Sequence, residues 1–209
     1  MLRVLVLLSS LARPAGSCFC QTGTMYEGPT PFRGPVSVAV DGWSILVQRG
    51  LPQAFDTYCS QARLVETFDM NLSDGDFCFA AAGPVDNWPS VVTAQHFEPA
   101  QGGFDPGVAF IADTRLFFLG AGTRLLAYDL QRPARIWEDV AEMGFWHWSV
   151  YPDAVLMAGE LELAAWDRLG TKLWTRFVEP PWSHRVIDHR VHLEVMGVKT
   201  DFPITGPPT

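Results

Sequence analysis

The sequence predicts an all-β chain, a stack of four to five small antiparallel sheets with one short helix. Three observations carry that prediction. Aromatic residues make up 12% of the 209 positions, eight of them Trp, and there are 18 Gly and 16 Pro; aromatics suit pleated strands, and Gly and Pro punctuate turns. From Gly34 onward, short apolar runs are separated by polar turns. The stretch from Leu119 to Ala127-Tyr128-Asp129 is echoed by Met157 to Ala165-Trp166-Asp167, 38 residues further on, a spacing within the range of stacked structural units.

The composition narrows the function classes. A hydrophobic share of 48% against 18% charged residues specifies a packed domain, since disordered chains invert that balance. A formal charge of −8 counts against a nucleic-acid binder, because a phosphate backbone demands clustered Lys and Arg. The four cysteines form no CxxC, so no zinc site is expected. Cys59 and Cys78 read as two small buried hydrophobes, or as a bridge if the chain is exported.

Residues 1–24 read as a leader or as an extraneous start ahead of a single domain over 25–209. The apolar run Val4 to Ala12 is too short to span a bilayer, and no transmembrane segment is expected elsewhere. With Ala15-Gly16-Ser17-Cys18 behind it, the run has the size of a signal-peptide core. Translation from Met25 would leave a cytoplasmic protein; cleavage after residue 17 would give an exported one, lipid-anchored if Cys18 is acylated. A structural strand is the third reading. Removing Arg3 and Arg13 leaves the chain more acidic still.

Val36 to Val40 alternates, Asp41-Gly42 turns and Trp43 to Val47 returns, the strongest short-range hairpin signal. The same device is expected at Asp74-Gly75, Asp113-Thr114, Pro152-Asp153 and Asp188-His189. Between Leu51 and Phe68, apolar residues at Phe55, Tyr58, Cys59, Ala62 and Val65 have helical spacing, with Pro52 suited to a first turn. Asp139 to Met143 could form one helical turn. The Pro-rich tail from Phe202 is excluded from any central strand.

The two echoed units share further marks. Each runs through a hairpin, a Gly-containing turn and an Ala-aromatic-Asp strand to a closing apolar-Trp pair, Ile136-Trp137 in one and Leu173-Trp174 in the other. This pattern resembles the blade of PQQ-like, quinoprotein-type β-propellers. It covers residues 115–174, with a trailing half-copy over 186–196. A 38-residue unit fits four to five times into residues 34–205, so the resemblance implies a small or incomplete propeller-like stack. The acidic, Arg, stacking and calcium-ligand positions of quinoprotein enzymes have no counterparts here. The resemblance therefore implies an architecture, and neither a cofactor nor dehydrogenase activity.

Gly120-Ala121-Gly122 joins two strands, so it reads as a hairpin turn and not a phosphate loop. Asp69 to Gly75 lacks the Gly and Glu that a calcium loop requires at its sixth and twelfth places. His184, His189 and His192 lie close in sequence, but strand alternation sends neighbours to opposite faces; they read as solvent-facing. Glu160 and Glu162 are expected on one outer strand face above Leu161 and Leu163, where paired carboxylates could perform acid–base chemistry.

The densest feature is aromatic. Phe145-Trp146-His147-Trp148 and Phe177 to Glu179-Pro180-Pro181-Trp182 fall 36 residues apart, Trp146 to Trp182. Large aromatics there either fill seams between sheets or form a binding rim, since Trp is a favoured interface anchor. The sequence thus points to a non-catalytic module engaging a protein partner through Trp146, Trp148, Glu160, Glu162, Glu179 and Trp182. The rival readings are a small enzyme using the two carboxylates and an exported structural lipoprotein.

Overall fold

A computed structural model describes residues 4–7, 35–98 and 105–206. Among the described residues the expected all-β stack is present: four sheets and one short helix. The first sheet holds β2 (Val36–Val40), β3 (Trp43–Arg49), β4 (Leu64–Phe68), β5 (Asp76–Pro84) and β6 (Val91–Phe97) in the order β2-β3-β5-β6-β4. The second has the order β1 (Val4–Leu7), β7 (Gly107–Ile111), β8 (Leu116–Ala121), β9 (Arg124–Asp129), β10 (Ala134–Val140). The third is a meander of β11 (Phe145–Val150), β12 (Val155–Gly159), β13 (Glu162–Trp166) and β14 (Lys172–Phe177). The fourth is β15 (Trp182–Ile187), β16 (Arg190–Val195) and β17 (Val198–Pro203). Apart from Val4–Leu7, residues 1–34, with Cys18 and Cys20 among them, lie outside the described residues.

The turns follow from local chemistry. Asp41-Gly42, Asp188-His189 and Met196-Gly197 each hold two residues at positive φ, the geometry whose twist matches that of antiparallel strands. Asp113 and Asp153 stand in the corresponding first hairpins of the second and third sheets. Asp74-Gly75 does not close a hairpin. The strand before it, β4, runs parallel to β6 at the sheet edge, and β5 pairs antiparallel with β3 and β6. Gly75, at φ +104°, is needed because a Cβ would lie 2.5 Å from the His96 ring.

The expected helix is shorter than its periodicity suggested. Helix α1 (Phe55–Gln61) places Phe55, Tyr58, Cys59 and Ala62 on Phe79, Ala81 and Val92 of the first sheet. It stops there because the Arg63 and Leu64 N–H groups donate to the Ser90 carbonyl, which starts β4. Asp139 to Met143 forms no helical turn. Asp139 and Val140 pair with Leu125 and Arg124, and the Ala141 N–H donates to the Thr123 carbonyl. The Pro-bearing tail enters β17, an edge strand.

Three apolar seams hold the sheets in sequence order. Ile45, Ala80 and Val91 of the first sheet meet Val108, Leu119 and Tyr128 of the second. Ala109, Phe118 and Leu125 on the second sheet's other face meet Phe145, Trp148, Met157 and Trp166 of the third. Leu156, Leu163 and Ala165 meet Val191, Leu193 and Phe202 of the fourth. Inner strands such as β12 and β13 are therefore buried along their whole length. At about 25 cal/mol per Å² of apolar surface, such seams are the main stabilising term.

The echoed segments are the β8–β9 and β12–β13 hairpins, the middle turns of the consecutive meanders β7–β10 and β11–β14. Their closing aspartates act alike. Asp129 accepts the backbone N–H groups of Gln131 and Arg132, and Asp167 those of Leu169 and Thr171. Their tryptophans also act alike: Trp137 Nε1 donates to the Gly170 carbonyl at 2.7 Å, and Trp174 Nε1 to the Ile204 carbonyl at 2.8 Å. Each thereby ties its own sheet to the next.

Candidate functional site

Strand direction gathers one set of turns at one end of the stack. The β10–β11 connection, the β12–β13 turn, the β14–β15 connection and the β16–β17 turn all lie there. Backbone hydrogen bonds stitch them together: Phe145 N–H to Gly122 O, Glu160 N–H to Gly144 O, Val178 N–H to Leu161 O and Met196 N–H to Pro181 O. The result is a continuous rim spanning three sheets.

The rim carries both apolar and acidic groups. Val140, Met143, Phe177 and Met196 are 63%, 57%, 59% and 58% exposed. Beside them stand Glu142, Glu160 and Glu179. Among the described residues, none of these three carboxylates forms an ion pair with Lys or Arg. Toward the first sheet the rim opens into a cleft of about 230 Å³ lined by Asp69, Phe97, Glu98, Arg124, Glu138 and Val140. Arg124 organises it, donating to Asp69 at 2.8 Å and Glu138 at 3.0 Å while its guanidinium covers the Phe68 ring.

The six residues singled out from sequence separate into three environments. Trp148 is buried in the seam between the second and third sheets, against Phe118, Phe145 and Trp166. Strict alternation would pair it with Trp146. A β-bulge after Phe145 breaks the alternation, sending Phe145 and Trp148 to one side and Trp146 and His147 to the other. Trp146 and Trp182 lie half-buried and stacked, 5.4 Å apart at 6°. The Trp182 indole donates to the Glu160 carbonyl at 3.0 Å, so this pair supports the rim from beneath.

Glu160 and Glu162 do not share an outer face. Glu160 sits in the turn before β13 and Glu162 is the first residue of the strand, 4% exposed. The Glu162 carboxylate accepts the Glu142 N–H at 2.9 Å, and Lys172 Nζ lies 3.9 Å away. With both its oxygens turned inward, it fixes the β10–β11 connection and forms no acid–base pair with Glu160. The charged outer face expected for this strand does not exist, because sheets cover both of its sides. Glu179 alone of the six is exposed.

Of the three histidines expected to face solvent, His189 does, with its side chain 66% exposed, and His192 is 39% exposed, but His184 does not. His184 stacks on Trp182 and on His147, at 5.7 and 6.2 Å, inside the seam between the third and fourth sheets. Burial, and secondarily His147, pushes the His184 pKa down to about 4, and burial lowers that of His147. His192 lies on the opposite face beside Asp201, and His189 in a turn beside Asp153. Cys59 and Cys78 are both free, and burial raises the Cys78 thiol pKa.

Sequence reasoning missed Val140, Met143 and Met196 as rim residues. Isolated apolar residues next to Gly144 and Gly197 at turns were the available signal. Comparison with known proteins adds no identity: no protein-family model matches the chain, and no curated protein sequence matches it.

Proposed function

We propose that the chain is an open propeller-type arc of blade-like repeats that acts as a protein-binding module, without a catalytic centre of its own. The matching Asp129/Asp167 and Trp137/Trp174 roles support the repeat reading. The observation that carries the binding reading is the rim, where Val140, Met143, Phe177 and Met196 stand exposed on turns fastened to one another. Their positions are fixed by the sheets beneath, which lowers the ordering cost of association. Large exposed apolar groups rimmed by charge mark interaction surfaces.

Affinity purification of the tagged full chain from its source cells tests this. The wild type is compared with Met143→Arg/Phe177→Arg at the rim and with Leu169→Arg at the opposite end, where Leu169 is 72% exposed. A partner retained by the wild type and by Leu169→Arg, but lost with the rim variant, supports the proposal. A set of retained proteins unchanged by the rim variant refutes it.

A further inference from the structure

We infer that the rim's partner presents a basic segment interleaved with apolar side chains, an inference that rests on the binding reading above. Met143, Phe177 and Met196 offer apolar contact, and the unbranched Met side chains can adapt to the shape of an incoming group. Glu142, Glu160 and Glu179 lie on the same stitched turns, at 142–144, 160–161 and 177–181. Their carboxylates have no Lys or Arg partner among the described residues. Several acids elsewhere are engaged: Asp113 by Arg168, Asp129 and Asp167 by backbone N–H groups, Asp201 by Arg190.

Charge complementarity selects the occupant. An Arg or Lys arriving at the rim gains a charge-assisted bond without breaking an existing pair, while an acidic segment, an anionic membrane or a nucleic acid meets repulsion from a chain of net charge −8. The long stem of an Arg or Lys can lie on Met143 or Phe177 with its head at a carboxylate. A second copy of this acidic chain is disfavoured by the same repulsion.

Fluorescence anisotropy with labelled peptides tests the inference. The probes are an alternating Arg/Leu peptide, a Glu/Leu peptide and an Arg/Ser peptide, each titrated with four forms of the full chain. These are the wild type, Glu142→Gln/Glu160→Gln/Glu179→Gln, a charge-matched control Asp56→Asn/Asp86→Asn/Asp188→Asn, and Met143→Ser/Phe177→Ser. The Arg/Leu peptide is expected to bind the wild type and the control alike. It should bind the two rim variants about tenfold or more weakly, and weaken as salt rises beyond the screening range. The Arg/Ser peptide should bind weakly throughout.

Equal loss in the rim and control triple variants would reduce the effect to net charge and overturn the inference, as would equal binding of the Glu/Leu peptide. A cellular partner that needs Met143 and Phe177 but ignores the three glutamates overturns the charge inference and leaves the binding reading standing. A partner indifferent to both overturns both.

Discussion

The indole of Trp137 lies flat on that of Trp166, 5.3 Å between centroids at 18°, while its N–H reaches the Gly170 carbonyl. One residue thus closes the seam between two sheets by stacking and by a hydrogen bond. Trp174 repeats the arrangement one sheet later, edge-on to Phe202 and bonded to Ile204.

Truncating either tryptophan should therefore loosen a seam. Trp137→Ala and Trp174→Ala are each expected to lower unfolding free energy by about 2–4 kcal/mol. Trp137→Phe, which keeps most of the ring, should cost about 1 kcal/mol for the hydrogen bond. Urea denaturation measures both. A loss from Trp137→Ala no larger than that of an exposed-site substitution would contradict the seam role.

Gly107 and Gly120 face each other across β7 and β8, and together they form the floor on which the Phe145 ring rests. A Cβ at Gly120 would lie 2.5 Å from that ring. Gly120→Ala should thus cost about 1–3 kcal/mol through overpacking. Adding Phe145→Leu should recover part of the loss, and a double-mutant cycle reads the coupling. Strict additivity would mean that the two positions do not touch.

Glu162→Ala should destabilise by about 1–3 kcal/mol, because it strands the Glu142 N–H. Glu160→Ala should change stability by no more than about 0.5 kcal/mol, since its backbone makes the rim contacts. Thermal unfolding of the two variants side by side checks the contrast. Equal effects would restore the view of two equivalent surface carboxylates.

Acid should weaken the last seam. The His184 pKa in the fold, about 4, lies below the ordinary value of about 6.5 that the unfolded chain adopts. Between those values the unfolded chain binds the extra proton, so stability is full above pH 6.5 and falls as pH drops toward 4. One such group contributes a slope of at most about 1.4 kcal/mol per pH unit. His147 is the titratable group stacked on it, and Trp182 its neutral neighbour. Denaturant midpoints across this window should fall more steeply for the wild type than for His184→Gln. Parallel curves would rule out His184 as a source of the slope.

Much of the fold was legible in the sequence because hairpin turns depend on local chemistry. Asp41-Gly42, the Asp113, Asp153 and Asp188 turns and the 38-residue echo needed no tertiary information. The parallel placement of β4 was not legible, because Leu64 to Phe68 continues the apolar spacing of α1 and only the Ser90 carbonyl decides where the helix yields. The site was read less well. Period-two alternation says which residues share a face, but in a stack both faces of an inner strand are buried, so Glu162 gave no sign of its burial. The bulge at Trp146 then put the two tryptophans on opposite faces, and nothing local to Phe145 announces it.

The binding account is tested most directly by hydrogen–deuterium exchange on the full chain with and without its captured partner. The account predicts new protection at residues 142–144, 160–161, 177–181 and 196–197, with the opposite turns at 113–115, 152–153 and 188–189 unchanged. Protection confined to those opposite turns, or to α1, would contradict it.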